Sequence, residues 1–201
     1  FFKNTDHWVG VNTYGGLKER IAELKKATRH NNQLKNMRLT HMIITHHHSD
    51  HLPGVNEAIE AGTTLIMTEM TQTYLQQSND YHMAGAKVIL VKDVLQLGQL
   101  KIFMINTNHA AENLIVYHTQ DKTLFQDDHY NAMTKGKHTH INQSGLVLNQ
   151  KLSGLNLEID WILGGHAPKA ETWQDFQKAV AANFIGNVCP SKSSICINET
   201  F

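Results

Sequence analysis

Residues 45–51 read Thr-His-His-His-Ser-Asp-His and follow directly on the apolar run Met42-Ile43-Ile44. Any fold must deliver these polar groups at the end of a strand-like segment and find partners for them. Alternate residues of an extended segment point the same way, so His46 and His48 can share one metal ion. Asp50 and His51 stand where the chain turns towards the next helix and can face a second ion. Neutral imidazole and carboxylate suit Zn²⁺, with manganese, iron or cobalt also compatible. Four such groups can fill one closed structural site; divided two and two, they leave both ions short of ligands.

Further ligand types follow later strand-like runs. His109 comes after Ile102 to Ile105, Asp128 after Thr123 to Gln126, and His166 after Trp161-Ile162-Leu163. Loops at strand ends are where sites are built, because the sheet holds them rigidly. Gly164 and Gly165 give the backbone the freedom to present His166. Seven candidate ligands thus come from four separated segments.

The order His-His-His-Ser-Asp-His, a lone His, Leu-Phe-Gln-Asp-Asp and Ile-Leu-Gly-Gly-His resembles the metallo-β-lactamase superfamily over roughly residues 8 to 183. The resemblance implies an α/β fold, the αββα sandwich of two mixed β-sheets with helices outside and the metals at one edge. It places His46, His48 and His109 on a first divalent ion, Asp50, His51 and His166 on a second, and Asp128 between them. Asp128 is preferred to Asp127 because the family's bridging Asp is the second residue of a Gly-Asp pair, and Asp127 stands at the Gly position. Other departures are Asn12, where the family has Asp before its first helix, and Asn108-His109-Ala110 around the third ligand. Only 45 residues precede His46, and one strand is evident there, so the first sheet is expected to be abbreviated or truncated.

Two divalent metals, with zinc first and iron or manganese as alternatives, can share a hydroxide when about 3.5–4 Å apart and bring its pKa towards neutrality. The expected reaction is metal-dependent hydrolysis of an ester-, thioester- or lactone-like bond in a small molecule. Asp50 both binds metal and can orient the hydroxide or shuttle its proton. Asp128 and Tyr130 complete the catalytic candidates. Tyr130 could donate to a developing oxyanion, although most such aromatics are packing residues. The resemblance leaves open β-lactam or phosphodiester hydrolysis and a mononuclear iron dioxygenase acting on persulfides. A non-catalytic zinc-binding scaffold is the reading from another class.

Other histidines carry plainer expectations. His47 faces the sheet or supports the ligands, His118 lies on strand surface, and His138 and His140 lie in a solvated loop. Lys169 is a surface residue by default.

The remaining chain reads as one layered domain over residues 1–186 with a polar tail, 187–201. Lys+Arg and Asp+Glu number 18 each, which disfavours nucleic acid and anionic membrane surfaces as main partners. No apolar run reaches the length of a membrane span, so a soluble protein is expected, cytoplasmic, or periplasmic or secreted after signal removal. Phe1 in place of Met suggests a processed chain or a fragment. Cys189 and Cys196 could pair in an oxidising compartment or stay as free thiols. Oligomeric state stays open.

Overall fold

The computed structural model describes residues 1–14, 16–132 and 141–186. His138 and His140, expected in a solvated loop, lie outside the described residues. So do Cys189, Cys196 and the whole expected tail.

Two sheets form the centre. The first has five strands in the order β1 (Phe2–Asn4), β2 (His7–Val11), β3 (Leu39–Ile43), β4 (Thr64–Met67) and β5 (Val88–Leu90). β1 and β2 make an antiparallel hairpin, and β2 to β5 run parallel. The second has six: β11 (Glu171–Thr172), β10 (Trp161–Leu163), β9 (Thr123–Phe125), β8 (Asn113–His118), β7 (Leu100–Ile105) and β6 (Val94–Leu97). Among the described residues its only parallel pair is β9 with β10. The helices are α1 (Leu17–Thr28), α2 (Asn32–Lys35), α3 (Val55–Glu60), α4 (Glu69–Gln77), α5 (Gln143–Ser153) and α6 (Trp173–Gly186).

Alternation along the strands sorts the layers. Ile43 and Ile66 face inward with Val9 and Val91, against Leu100, Ile102, Leu114 and Val116 of the second sheet. Their neighbours Met42, Ile44, Leu65 and Met67 face outward, under Leu17, Val55, Ala58 and Leu75 of α1, α3 and α4. The second sheet repeats the arrangement: Ile115, Tyr117, Leu124 and Ile162 pack under Leu148 and Leu152 of α5 and Phe176 and Val180 of α6. The result is the αββα sandwich expected from the resemblance. Burying each Leu or Ile side chain contributes about 1.5–3 kcal/mol, so the two-faced burial of β3, β4 and β8 makes them the rigid centre.

Several short elements escape the sequence pattern. β1 joins β2 through Thr5-Asp6, with Thr5 at φ 56°. The first sheet therefore has two strands ahead of the metal motif's own strand, where one was expected. β6 pairs with β7 across a turn at Gly98, φ 57°. α2 is started by Asn31, whose side chain accepts from the amides of Gln33 and Leu34. α5 begins at Gln143 because Asn142 caps it by accepting from Gly145 N at 2.9 Å.

β3 ends at Ile43. The chain stays extended beyond it, but its partners change. Thr45 N donates to Asn12 Oδ1 at 2.9 Å, and Thr45 O accepts from Leu114 N at 2.8 Å. The segment that carries the ligands is thus bonded to both sheets.

Candidate metal centre

The ends of five strands meet at one edge of the sandwich. β3 runs into His46–His48 and then a tight turn over Ser49–His51. β7 is followed by the loop with His109, β9 by a tight turn over Asp127–His129, and β10 by Gly164-Gly165-His166. β2 delivers Asn12 and Tyr14 from below.

All seven candidate ligands converge, in two overlapping groups. In the first, His46 Nε2 lies 3.0 Å from His48 Nδ1 and 3.1 Å from His109 Nε2. Asp128 Oδ2 closes this group, 3.4 Å from His46 Nε2 and 3.0 Å from His109 Nε2. In the second, Asp50 Oδ2 lies 3.0 Å from His166 Nε2 and 3.4 Å from His51 Nε2. Asp128 belongs here too, with Oδ2 3.0 Å from His51 Nε2 and Oδ1 3.2 Å from His166 Nε2.

These spacings fit metal ligation. Ligand atoms placed tetrahedrally about 2.0–2.1 Å from one Zn²⁺ stand about 3.3 Å from one another. Three imidazole nitrogens aimed at a common point without a cation would set lone pair against lone pair, or proton against proton. Around Asp128, burial opposes the carboxylate's charge. Hydrogen bonds from His46 and His51, with the charge of those rings, outweigh that and hold the carboxyl well below its usual range. Around His51, burial opposes protonation, but the bond to Asp128 and the field of Asp127, Asp128 and Asp50 prevail and raise its pKa. The same field draws a divalent cation.

The centre has a closed floor and an open rim. The side chains of His46 and His51 are fully buried, Asp128 is 12% exposed, and Asp50 and His166 are 52% and 46% exposed.

Supporting residues were not evident from sequence. Asp127 is buried and sits at φ 62°, which explains why a Gly suits that place in the resembling family. Its carboxylate accepts hydrogen bonds from Asn12 Nδ2, the Thr45 hydroxyl and the Tyr14 hydroxyl, and lies 3.2 Å from His51 Nδ1. Burial first, then the charge of Asp127, push the Tyr14 hydroxyl far above its usual pKa, so it stays a donor. Thr45 Oγ1 is also 3.0 Å from His46 Nδ1. Both fully buried candidate histidines therefore have a polar neighbour at Nδ1, which orients the ring with Nε2 towards the centre. His129 supports the third ligand: its Nδ1 donates to Gln126 O at 2.7 Å, and its Nε2 meets Thr107 Oγ1 at 3.0 Å. Thr107 Oγ1 in turn accepts from His109 N at 3.2 Å.

The glycines before His166 are required by close approach. A Cβ on Gly165 would collide with the Asp127 carboxylate and the Tyr14 hydroxyl; one on Gly164 would meet Asn131 and the Tyr130 carbonyl.

Three expectations need correction. Tyr130, a catalytic candidate, is not brought to the centre: its ring packs edge-on against Phe176 at 4.8 Å and its hydroxyl donates to Glu171. The extended backbone after the Asp127–His129 turn sends the ring under α6. His118 is buried, not strand surface, because β8 is covered on both faces; its Nδ1 accepts from Asp121 N at 3.2 Å. His47 turns away from the ligands and lies against Tyr74, ring centroids 5.3 Å apart. Lys169 is exposed, as expected.

No family model matches the sequence, and no curated protein does either. The fold, by contrast, is shared with many solved structures. The DIM-1 metallo-β-lactamase superposes with a TM-score of 0.67 at 19% identity, covering 92% of this chain and 83% of that one. A metallo-β-lactamase from Pontibacter korlensis gives 0.63 at 17%, covering 89% and 83%. The FIM-1 metallo-β-lactamase from Pseudomonas aeruginosa, solved in a mono-zinc form, gives 0.61 at 17%, covering 93% and 83%. The chain has the metallo-β-lactamase fold. Among the described residues no helix is long and apolar enough to cross a membrane.

Proposed function

We propose that this chain, built on the metallo-β-lactamase fold, is a dinuclear metal-dependent hydrolase of an ester-, thioester- or lactone-like bond in a small molecule. The observation that carries the reading is the position of Asp128, whose two oxygens reach both ligand groups. His46, His48 and His109 would hold one ion, and Asp50, His51 and His166 the other. Zinc suits this mixed imidazole and carboxylate set, and the mono-zinc form of a fold neighbour supports it.

Two bound divalent ions would supply an activated water and polarise the attacked carbonyl. The protein's residues do the rest. Asp128 keeps the two ligand groups at a fixed separation. Asp50, the most exposed of the carboxylates here, can take a proton at its free oxygen and return it to the leaving group. The substrate meets the centre from the Asp50–His166 rim, since the opposite side is closed by His46 and His51. Tyr130 has no part in this proposal; its hydroxyl is committed to Glu171.

A β-lactam is the second reading, favoured by the identity of the fold neighbours. The test is one screen of zinc-loaded protein on a thioester, a lactone, a β-lactam and a phosphodiester, beside Asp128→Ala and a measurement of bound metal. Turnover of the thioester or lactone, with two ions per chain and loss of both in the variant, is expected. Metal binding at many weak sites with no turnover would point to a storage scaffold instead.

A further inference from the structure

We infer that Asp127, which is not one of the seven proposed ligands, is the positioning residue for the second metal site. It fixes the His51 ring through its side chain and the His166 loop through its main chain. The inference rests on the dinuclear reading above.

Asp127 Oδ2 lies 3.2 Å from His51 Nδ1. Asn12 Nδ2, which donates to the same carboxylate, also lies 3.2 Å from this nitrogen. With a metal held at Nε2 the ring proton would sit on Nδ1, and the Asp127 carboxylate is the acceptor placed to receive it. Asn12, Thr45 and Tyr14 donate to the same carboxylate, and these bonds hold it against rotation. Its carbonyl accepts from Gly165 N at 3.1 Å, one residue before His166. Gly165 has no room for a side chain precisely because the Asp127 carboxylate and Tyr14 hydroxyl occupy that space. Two of the three ligands proper to the second site are thereby tied to one residue.

The backbone sharpens the point. At φ 62° glycine is the unstrained choice and Asp a tolerated one. Backbone geometry alone gives no reason for a side chain here; the contacts of the carboxylate do. The first site depends on it less. With the carboxylate removed, Thr45 can turn its proton to Asn12 Oδ1 at 3.3 Å, leaving His46 its partner.

The experiment titrates metal-free full-length wild type, Asp127→Gly and Asp127→Asn with Co²⁺, against a competing chelator, following the cobalt absorption bands. Wild type should take two ions. Asp127→Gly should lose about 10–100-fold in affinity at the second site, the usual effect of removing a ligand's outer partner, with a smaller change at the first. Asp127→Asn, whose amide oxygen can still accept from His51, should recover part of that loss. Unchanged affinity in Asp127→Gly would overturn the inference, and so would an equal loss at both sites, which a general packing role produces. If Asp127→Gly does not fold, the metal-loaded wild type decides by NMR. A sheltered His51 Nδ1 proton gives a slowly exchanging ring resonance, and its absence overturns the inference. Fewer than two ions in wild type would sink the dinuclear reading itself.

Discussion

His166 Nε2 lies 3.0 Å from Asp50 Oδ2, although one residue follows β10 of the second sheet and the other follows β3 of the first. The second ligand group is therefore closed only when the two sheets are correctly packed. His166→Ala should leave the first group whole and reduce bound metal from two ions to one. Turnover should fall on the order of 100-fold, at least as much as the loss of an outer-shell partner. Metal analysis beside steady-state rates checks this; two ions retained at wild-type affinity would count against His166 as a ligand.

Gly165→Ala tests the same loop without touching a ligand. The added Cβ would strike the Asp127 carboxylate and the Tyr14 hydroxyl, and both are held by hydrogen bonds. Overpacking of this kind costs about 1–3 kcal/mol. Denaturant unfolding should register that loss, and metal content should fall at the second site alone.

Removing metal should weaken the fold. An ion that binds only the native state stabilises it by about 2.7 kcal/mol when present at 100 times its Kd. A chelator should therefore lower the unfolding midpoint and abolish turnover, and zinc should restore both. A midpoint indifferent to chelation would contradict tight binding at this edge.

The middle layer should be separable from the chemistry. Ile66 is fully buried among Val9, Ile43, Leu100 and Leu114. Ile66→Ala should cost about 2–5 kcal/mol, measured by denaturant unfolding, with two ions still bound per folded chain. Loss of metal at temperatures where the variant stays folded would show that the layer and the site are not independent.

How much of this could be read from sequence depends on what each residue needs from elsewhere. The strands ahead of His46, His109, Asp128 and His166 were legible as short apolar runs that lead into polar ligand types. β1, β6, β11 and α2 have two to four residues each, too few to show a period, and the strands among them exist through their partners. The seven candidate ligands, which the fold brings together, were legible because metal chemistry demands few residue types, and these stand in order after strands. Asn12, Tyr14, Thr45 and Asp127 were not, since a buried hydrogen-bond network is defined only by the fold. Asp127 offered one hint, an acid where the resembling family keeps Gly. Tyr130 was misread because neighbourhood in sequence to Asp128 says nothing about direction; its ring follows the backbone to Phe176.

The bond from Leu114 N to Thr45 O ties the sheets together one residue before His46. Any separation of the two layers at this edge would break that bond and part His46 from His109 and Asp128 in the same movement. Breathing of the sandwich and opening of the ligand cluster would then be a single event. The amide of Leu114 would report it: its hydrogen exchange should slow on metal loading by about the factor 1 + [M]/Kd.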